Sequence, residues 1–132
     1  MNTNNIPNGA KILICEDVFL NFFVLQKLIN KLYPHLTIIH AMDGLEGVKQ
    51  FEEQEFDLII TDIEMPNMDG WEFIKYLTEK GYSHERIVII SAQTEQMLSV
   101  EADKLGIKKY YSKPLTPEMV KEITAIILTG NN

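Results

Sequence analysis

Five short apolar runs alternate with five amphipathic stretches along the chain, and this alternation predicts its architecture. Each run is rich in Ile, Leu and Val and is too short to be a helix. Such runs are typical of strands that are buried on both faces of a parallel sheet. The predicted strands are Lys11–Cys15, Leu36–Ala41, Leu58–Thr61, Arg86–Ser91 and Ile107–Ser112.

The amphipathic stretches predict a helix after every strand. In the first helix, a stripe at intervals of three and four residues is expected to face the core. This stripe consists of Asn21, Val24, Leu25, Leu28, Ile29 and Leu32. The next three helices are predicted over 45–54, 71–80 and 95–105. The last helix begins after Thr116, whose side chain can cap it, with Pro117 in the first helical position.

Strand–helix units joined by short loops predict an α/β fold with right-handed crossovers. The length of 132 residues suits one domain. We expect a doubly wound, five-stranded parallel sheet of order 2-1-3-4-5, the flavodoxin-like arrangement. In this interpretation residues 10–129 form the domain and residues 1–9 are a flexible lead-in.

Charge and composition narrow the classes of function. Twelve basic and nineteen acidic residues give a net charge of −7, and the basic residues form no cluster, so direct binding to nucleic acid is not expected. No apolar run approaches the ~18–20 residues of a membrane span. The N-terminus lacks the order of a signal peptide. The single cysteine, Cys15, cannot form an internal disulfide, which agrees with a reducing cytoplasm.

Polar side chains stand where four of the predicted strands end. Glu16 and Asp17 follow the first strand, Asp62 the third, Ser91 ends the fourth, and Lys113 follows the fifth. The carboxyl ends of parallel strands meet at one edge of the sheet. The five side chains are therefore expected to converge on one pocket.

Three carboxylates in one pocket repel one another, by roughly 4 kcal/mol for two unit charges about 4 Å apart at an effective dielectric of 20. A proton or a cation must relieve this repulsion. Oxygen ligands in an otherwise open site favour Mg²⁺. The histidines, His35, His40 and His84, have no metal-ligand spacing and are expected on the surface or in loops.

The remaining two groups of the pocket point to a reaction class. Lys113 supplies an ammonium and Ser91 supplies a hydroxyl. A carboxylate nucleophile, a Mg²⁺ ion, an ammonium and a hydroxyl are the groups needed for phosphoryl transfer, in which cations absorb charge on the equatorial oxygens. The sequence therefore predicts phosphoryl transfer at this edge of the sheet.

Over nearly its full length the chain resembles the receiver domain of two-component response regulators. The resemblance is carried by the segments KILICED, FDLIITDIEMPNMDG, IVIISA and YYSKP. It implies that Asp62 is a phosphoacceptor that receives phosphoryl from a histidine kinase or a histidine phosphotransfer protein. The chain would then be a cytoplasmic signalling switch, not an enzyme that turns over an external substrate. Its downstream protein partner is unknown, and the resemblance also allows a phosphorylation-dependent dimer.

The resemblance also implies a set of metal ligands. Asp17 and Asp62 would bind Mg²⁺ directly, Glu64 through its backbone carbonyl and Glu16 through a water molecule. The acidic pair is Glu-Asp where the family frequently has Asp-Asp. We expect this variant still to bind the metal.

Further residues match the family's phosphoryl-binding and switch positions. Lys113 and Ser91 would hold the phosphoryl oxygens, with Ser91 in place of the frequent Thr. Tyr110 matches the aromatic switch position and would turn inward as Ser91 is drawn to the phosphate. That movement would change the surface formed by helix 4, strand 5 and helix 5. Glu64 and Gln93 stand where the family tunes attack by water on the phosphoryl group.

Three phenylalanines lie off the predicted core stripe of the first helix. Phe19, Phe22 and Phe23 stand at the start of this helix, beside the acidic pocket. Apolar residues grouped outside a core face often mark a partner surface. We expect these three residues to dock the helix of the phosphodonor.

Other interpretations remain open from the residues alone. A Mg²⁺-dependent aspartyl-phosphate phosphatase would use a second acid two residues after Asp62, and Glu64 occupies that position. A flavodoxin-like nucleotide or flavin binder would need a Gly/Ser/Thr-rich loop after the first strand, where this chain has acids. A third alternative is an interaction module that is never phosphorylated. A fragment of a hybrid kinase is also compatible with the sequence.

Overall fold

Five parallel strands form the centre of the fold. The computed structural model describes residues 9–129. The strands are β1 (Lys11–Cys15), β2 (Thr37–Ala41), β3 (Leu58–Thr61), β4 (Ile87–Ser91) and β5 (Tyr110–Ser112). Their order is β2-β1-β3-β4-β5, and every neighbouring pair is parallel, which confirms the predicted fold class. Most of the predicted lead-in, residues 1–8, lies outside the described residues.

A helix follows each strand, and most of the helices begin at a side-chain cap. The helices are α1 (Phe19–Leu32), α2 (Gly44–Glu53), α3 (Gly70–Glu79), α4 (Glu95–Leu105) and α5 (Pro117–Thr129). Asp43, Asp69, Thr94 and Thr116 each accept a backbone N–H from three residues further on, at the start of α2, α3, α4 and α5. Within residues 9–129, none of the helices combines the length and the apolar character needed to cross a bilayer.

The sheet is covered on both faces, so each strand contributes to two cores. Ile12 and Ile14 of β1 belong to the core under α1 and α5, whereas Leu13 and Cys15 face the core under α2, α3 and α4. This alternation follows from the two-residue period of a strand. Because helices cover both faces of the sheet, the loops at the ends of the strands are the places where polar side chains can gather.

The core-facing side of α1 differs from the predicted stripe. Phe22, Leu25 and Ile29 are buried, while Asn21 is exposed and Val24 is 47% exposed. The predicted position of Phe22 outside the core is therefore wrong. Phe22 is 6% exposed and belongs to the same core cluster as Leu25 and Ile29, at helical spacing.

Strand β5 is shorter than predicted. Ile107 does not pair with β4. Gly106 ends α4 in the left-handed conformation, and the Ile107 N–H then donates to the carbonyl of Ala102 in the last turns of this helix. Ile107 is nonetheless buried. It packs into the core as the residue that closes the helix end and not as a strand residue.

Candidate functional site

Backbone pairing of neighbouring strands sets the positions of the two central acids. The N–H of Asp62, directly after β3, donates to the carbonyl of Cys15 at the end of β1 (3.0 Å). The N–H of Glu16 donates to the carbonyl of Ala41 at the end of β2 (3.0 Å). Asp62 is 8% exposed and Glu16 is 6% exposed. Two nearly buried carboxylates therefore stand side by side at the sheet edge.

One ammonium joins these carboxylates. Lys113 Nζ lies 2.8 Å from Glu16 Oε1 and 2.9 Å from Asp62 Oδ2. The backbone of Lys113 is held by its N–H, which donates to the carbonyl of Ser91 (2.8 Å). Lys113 and the two acids belong to segments that are 97 and 51 residues apart in the chain, and only the parallel sheet brings them together.

The second oxygen of each carboxylate is also occupied. Asp62 Oδ1 accepts the N–H of Ile63 (2.6 Å), and Glu16 Oε2 accepts the N–H of Val18 (3.1 Å). Hydrogen bonds to the ionised form stabilise a buried carboxylate. Each acid is thus oriented by one backbone amide and one ammonium.

A third acid completes an oxygen cluster. Asp17 is half-buried, and one carboxylate oxygen each from Glu16, Asp17 and Asp62 lies within 4.8 Å of the others. Three carboxylates with one ammonium leave two uncompensated negative charges. A set of oxygen ligands with this excess negative charge suits a hard divalent cation such as Mg²⁺ or Ca²⁺.

The buried charges perturb each other's ionisation. Burial is the largest influence on Glu16 and raises the pKa of its carboxyl, with a further increase from the charge of Asp62, against hydrogen bonds from Lys113 and Val18. Burial acts to lower the pKa of Lys113, but its hydrogen bonds and charge interactions with Glu16 and Asp62 outweigh burial and raise it. Lys113 is therefore held as a cation at neutral pH.

The loop after Asp62 depends on a glycine that the sequence motifs do not single out as a site residue. Gly70 begins α3, and its N–H donates to the carbonyl of Ile63 (2.8 Å). A Cβ at Gly70 would collide with the backbone carbonyl oxygen of Asp62 and lie 2.8 Å from the Cα of Ile63. The acid-bearing backbone and the start of α3 can approach this closely only because residue 70 has no side chain.

His40 is the second residue that sequence reasoning missed at this site. The sequence predicts a surface or loop position for His40, but the residue lies half-buried in β2. Its Nε2 is 2.8 Å from the carbonyl oxygen of Glu16, and its ring is stacked on Phe22. Its lack of metal-ligand spacing gave no sign of this placement.

The structure places the other candidate residues at different depths. Ser91 is fully buried at the end of β4, where its hydroxyl oxygen accepts the N–H of the half-buried Gln93 (3.2 Å). Tyr110 is half-buried in β5 against the α2–α3–α4 core. Glu64 is exposed in the loop after Asp62.

Two of the three phenylalanines of α1 face solvent. Phe19 is 62% exposed and Phe23 is 40% exposed, and their rings are stacked with centroids 6.1 Å apart. Val24 is also exposed and lines a groove of about 420 Å³ together with Lys113, Pro114 and Leu115. One exposed apolar side chain of α1 thus lies in the same groove as the lysine of the acidic pocket.

Comparison with known proteins identifies the family. The model of the response regulator receiver domain matches residues 12–125 of the chain. The chain belongs to this family. It is 32% identical over 114 residues to the chemotaxis protein CheY of Thermotoga maritima, and this match covers 86% of the chain and 93% of CheY. Family membership also makes it part of two-component signal transduction, in which receiver domains are typically phosphoacceptor switches and not catalytic enzymes.

Several relatives are much longer than this receiver. It is 36% identical over 112 residues to the transcriptional regulatory protein FlgR of Helicobacter pylori and spans 28% of that protein. It is 39% identical over 111 residues to the hybrid signal transduction histidine kinase G of Dictyostelium discoideum and spans 3% of it. The chain spans half of the stress response regulator protein 1 of Debaryomyces hansenii.

Solved structures share the fold. A putative response regulator from Chloroflexus aurantiacus superposes with a TM-score of 0.80 at 21% identity, covering 91% of this chain and 98% of that one. The CheX–CheY–BeF3–Mg²⁺ complex of Borrelia burgdorferi superposes with a TM-score of 0.79 at 25% identity, covering 98% of this chain and 96% of that one. The acidic cluster of Glu16, Asp17 and Asp62 is typical of the Mg²⁺ site of receivers.

Proposed function

We propose that this receiver is a phosphoryl-accepting switch in which Asp62 takes phosphoryl from a phosphohistidine donor. The observation that carries the proposal is the shared ammonium of Lys113 between Asp62 and Glu16, inside a cluster of three carboxylates. Receiver domains partner with histidine kinases and phosphotransfer proteins in two-component systems. The proposal places the chain in the cytoplasm and leaves the downstream protein unnamed.

The acidic cluster would hold Mg²⁺. Asp17 and Asp62 would bind it through carboxylate oxygens, Glu64 through its backbone carbonyl and Glu16 through water. The ion would neutralise the two excess negative charges of the cluster and the charge of the incoming phosphoryl group. A relative of this chain was solved in a complex with Mg²⁺ and BeF3, which supports the assignment.

The chain's own residues account for the transfer step. An oxygen of the Asp62 carboxylate forms the new O–P bond as the P–N bond of the phosphohistidine breaks, and the electron pair of that bond leaves with the imidazole. Lys113 is already within 2.9 Å of Asp62 and would donate to a phosphoryl oxygen. Ser91, at the end of the neighbouring strand, would donate a hydrogen bond from its hydroxyl to a second phosphoryl oxygen.

The acceptor assignment is tested by labelling with acetyl phosphate and Mg²⁺. Intact-mass measurement should show the gain of one phosphoryl group, with acetate released. Asp62→Asn should show none. Asp57→Asn is the matched control, because Asp57 precedes β3 at the opposite edge of the sheet and accepts the N–H of Lys11 (2.8 Å). Labelling that survives in Asp62→Asn would overturn the assignment.

Phosphorylation would be read out on the face of α4, β5 and α5. The added charge would draw the Ser91 hydroxyl toward the phosphoryl group, and Tyr110 would move into the space beside it. Glu64 and Gln93 would set the rate at which water removes the phosphoryl group. These roles are compatible with the buried position of Ser91 and the half-buried position of Tyr110.

The phosphodonor would dock on the exposed apolar face of α1. With Phe22 in the core, this face includes Phe19, Phe23 and Val24, and Val24 also lines the groove beside Lys113 and Pro114. Its position next to the acidic pocket would bring a donor histidine toward Asp62. Phe19 and Phe23 would therefore be the docking residues, whereas Phe22 is buried in the core and would not take part.

Two phosphodonors of different size separate docking from chemistry. Phe19→Ala and Phe23→Ala should slow phosphotransfer from a phosphohistidine protein on the order of tenfold, as loss of an interface anchor does. Labelling by acetyl phosphate, which needs no docking surface, should keep its wild-type rate. Val100→Ala, at an exposed position of α4, is the control. Unchanged rates with the protein donor would contradict the docking role.

A further inference from the structure

The imidazole of His40 joins the backbone of the acidic loop to the aromatic residues of α1. Its Nε2 lies 2.8 Å from the carbonyl oxygen of Glu16. Because a carbonyl only accepts, Nε2 carries a proton and donates it. The imidazole also lies parallel to the ring of Phe22, with centroids 3.8 Å apart and an interplanar angle of 9°. Two contacts in different directions thus hold the ring in one orientation.

The sheet register sets where the imidazole stands. His40 pairs with Ile14, and the next pair is Cys15 with Ala41, so His40 lies beside the end of β1. Phe22 is 6% exposed and is fixed in the core by α1. The backbone of His40 therefore cannot shift without disturbing the sheet, and Phe22 cannot shift without disturbing the core.

The carbonyl that His40 holds belongs to the peptide bond between Glu16 and Asp17. A peptide bond is planar, so orienting this carbonyl also orients the N–H of Asp17 and the start of its side chain. Among the hydrogen bonds of residues 9–129, the one from His40 is the only one that the Glu16 carbonyl accepts. Glu16 is 6% exposed, so losing this bond would leave a carbonyl largely shielded from water.

We propose that His40 is a positioning residue for the acidic loop: its Nε2–H holds the Glu16–Asp17 peptide plane and so aims both carboxylates at the cation site. His40 itself touches neither the metal nor the phosphoryl group. The metal-binding part of this inference rests on the proposed function. The loop-holding part concerns the metal-free chain and stands independently.

Three substitutions separate the hydrogen bond from the ring stack. His40→Phe keeps an aromatic ring against Phe22 and removes the donor. His40→Asn keeps an amide that is one methylene too short to reach the carbonyl. His40→Gln keeps a donor at about the reach of Nε2. The matched control is His84→Phe, because His84 lies in the turn before β4 and contacts Thr78, away from the acids.

Two measurements on the full chain test the inference. Hydrogen exchange of the Asp17 and Val18 amides in the metal-free protein reports the loop, since the Val18 N–H donates to Glu16 Oε2. Calorimetric titration with Mg²⁺ reports the metal site. His40→Phe and His40→Asn should speed this exchange and raise the Mg²⁺ dissociation constant, each on the order of tenfold, as for other outer-shell partners. His40→Gln and His84→Phe should remain near wild type in both.

Unchanged exchange and Mg²⁺ affinity in His40→Phe or His40→Asn would overturn the inference. So would a His40→Gln chain as impaired as His40→Asn, since the donor would then not be the cause. His40→Asn decides the question if His40→Phe fails to fold. A wild-type chain that binds no Mg²⁺ would instead contradict the proposed metal site, and the exchange measurement would still decide the positioning role.

Discussion

The ammonium of Lys113 lies 2.9 Å from Oδ2 of Asp62, across 51 residues of sequence. The same ammonium contacts Glu16 at 2.8 Å. One cation thus compensates part of a pocket with three carboxylates. The pocket keeps an excess of negative charge that would attract a metal ion. The ammonium of Lys113 is also a fixed hydrogen-bond donor for the phosphoryl group that the metal would help to bind. This balance leads to the first two predictions.

Lys113→Ala should separate metal binding from phosphoryl transfer. Labelling by acetyl phosphate should slow about 10²-fold, the usual cost of removing one fixed donor to a developing charge. The Mg²⁺ dissociation constant should fall about fivefold, because a competing cation worth ~1 kcal/mol has been removed. Rapid-quench labelling and calorimetry measure the two effects.

Lys109→Ala is the control for this substitution, because Lys109 is exposed near the start of β5. It should change neither quantity. Weaker Mg²⁺ binding in Lys113→Ala would show that the ammonium supports the metal site instead of competing with it.

Asp62→Asn should stabilise the metal-free protein. The substitution removes one of three clustered carboxylates, and Lys113 keeps its contact with Glu16. We expect a gain of about 1 kcal/mol in the free energy of unfolding from the reduced repulsion, measured by urea denaturation. Saturating Mg²⁺ should reverse the order, because the wild type gains stability from the bound ion.

Asp57→Asn provides the comparison for stability as well. Asp57 accepts the N–H of Lys11 and lies 3.9 Å from Arg86. Removing this carboxylate should lower or leave unchanged the free energy of unfolding. A loss of stability in metal-free Asp62→Asn would mean that the bond to Lys113 outweighs the repulsion.

Gly70→Ala should destabilise the fold and abolish labelling. The new Cβ would meet the Asp62 carbonyl and the backbone of Ile63, and we expect a loss of about 2–3 kcal/mol from the forced shift. Gly81→Ala is the contrast, because Gly81 has φ +80 and no atom within 4 Å of the new Cβ. It should cost about 1 kcal/mol through backbone strain alone and retain labelling. Equal losses in the two variants would contradict the close approach at Gly70.

Ionisation of Tyr111 should lower the stability of the protein at alkaline pH. Burial, followed by the charge and hydrogen bond of Glu122, raises the pKa of its phenol to about 12. The unfolded value is about 10, so the folded state binds the proton more tightly. This contribution to stability is complete below pH ~10 and is lost as the pH rises through the folded pKa.

The titration of Tyr111 can be isolated by difference absorbance of tyrosinate between the wild type and Tyr111→Phe. Glu122→Gln removes a carboxylate 3.3 Å from the phenol oxygen and should lower the pKa of Tyr111. A pKa that stays the same in Glu122→Gln would assign the whole shift to burial.

Local sequence patterns were sufficient for the architecture and for the residues of the acidic pocket. Apolar runs on both faces of a strand, and the cap of Thr116 before Pro117 at the start of α5, are local signals that the structure follows. The convergence of Glu16, Asp17, Asp62 and Lys113 follows from parallel strand order, which can be reasoned without coordinates.

The core-facing side of α1 could not be predicted in the same way. Its first turns are apolar nearly all the way round, so stripes through Val24 and through Phe22 both satisfy helical spacing. The sheet buries only one of them, and the final rotation of α1 placed Phe22 inward and Val24 outward.

The sequence by itself determined the alternation of strands and helices and the set of acids with their lysine. Short-range patterns specify the elements, and the carboxyl ends of parallel strands share one edge of the sheet. Only the tertiary structure decided that His40 holds the Glu16 carbonyl, that Gly70 must lack a side chain, and that Phe22 is core. Each of these features depends on close packing between different elements of the fold, and local periodicity does not specify which residues meet there.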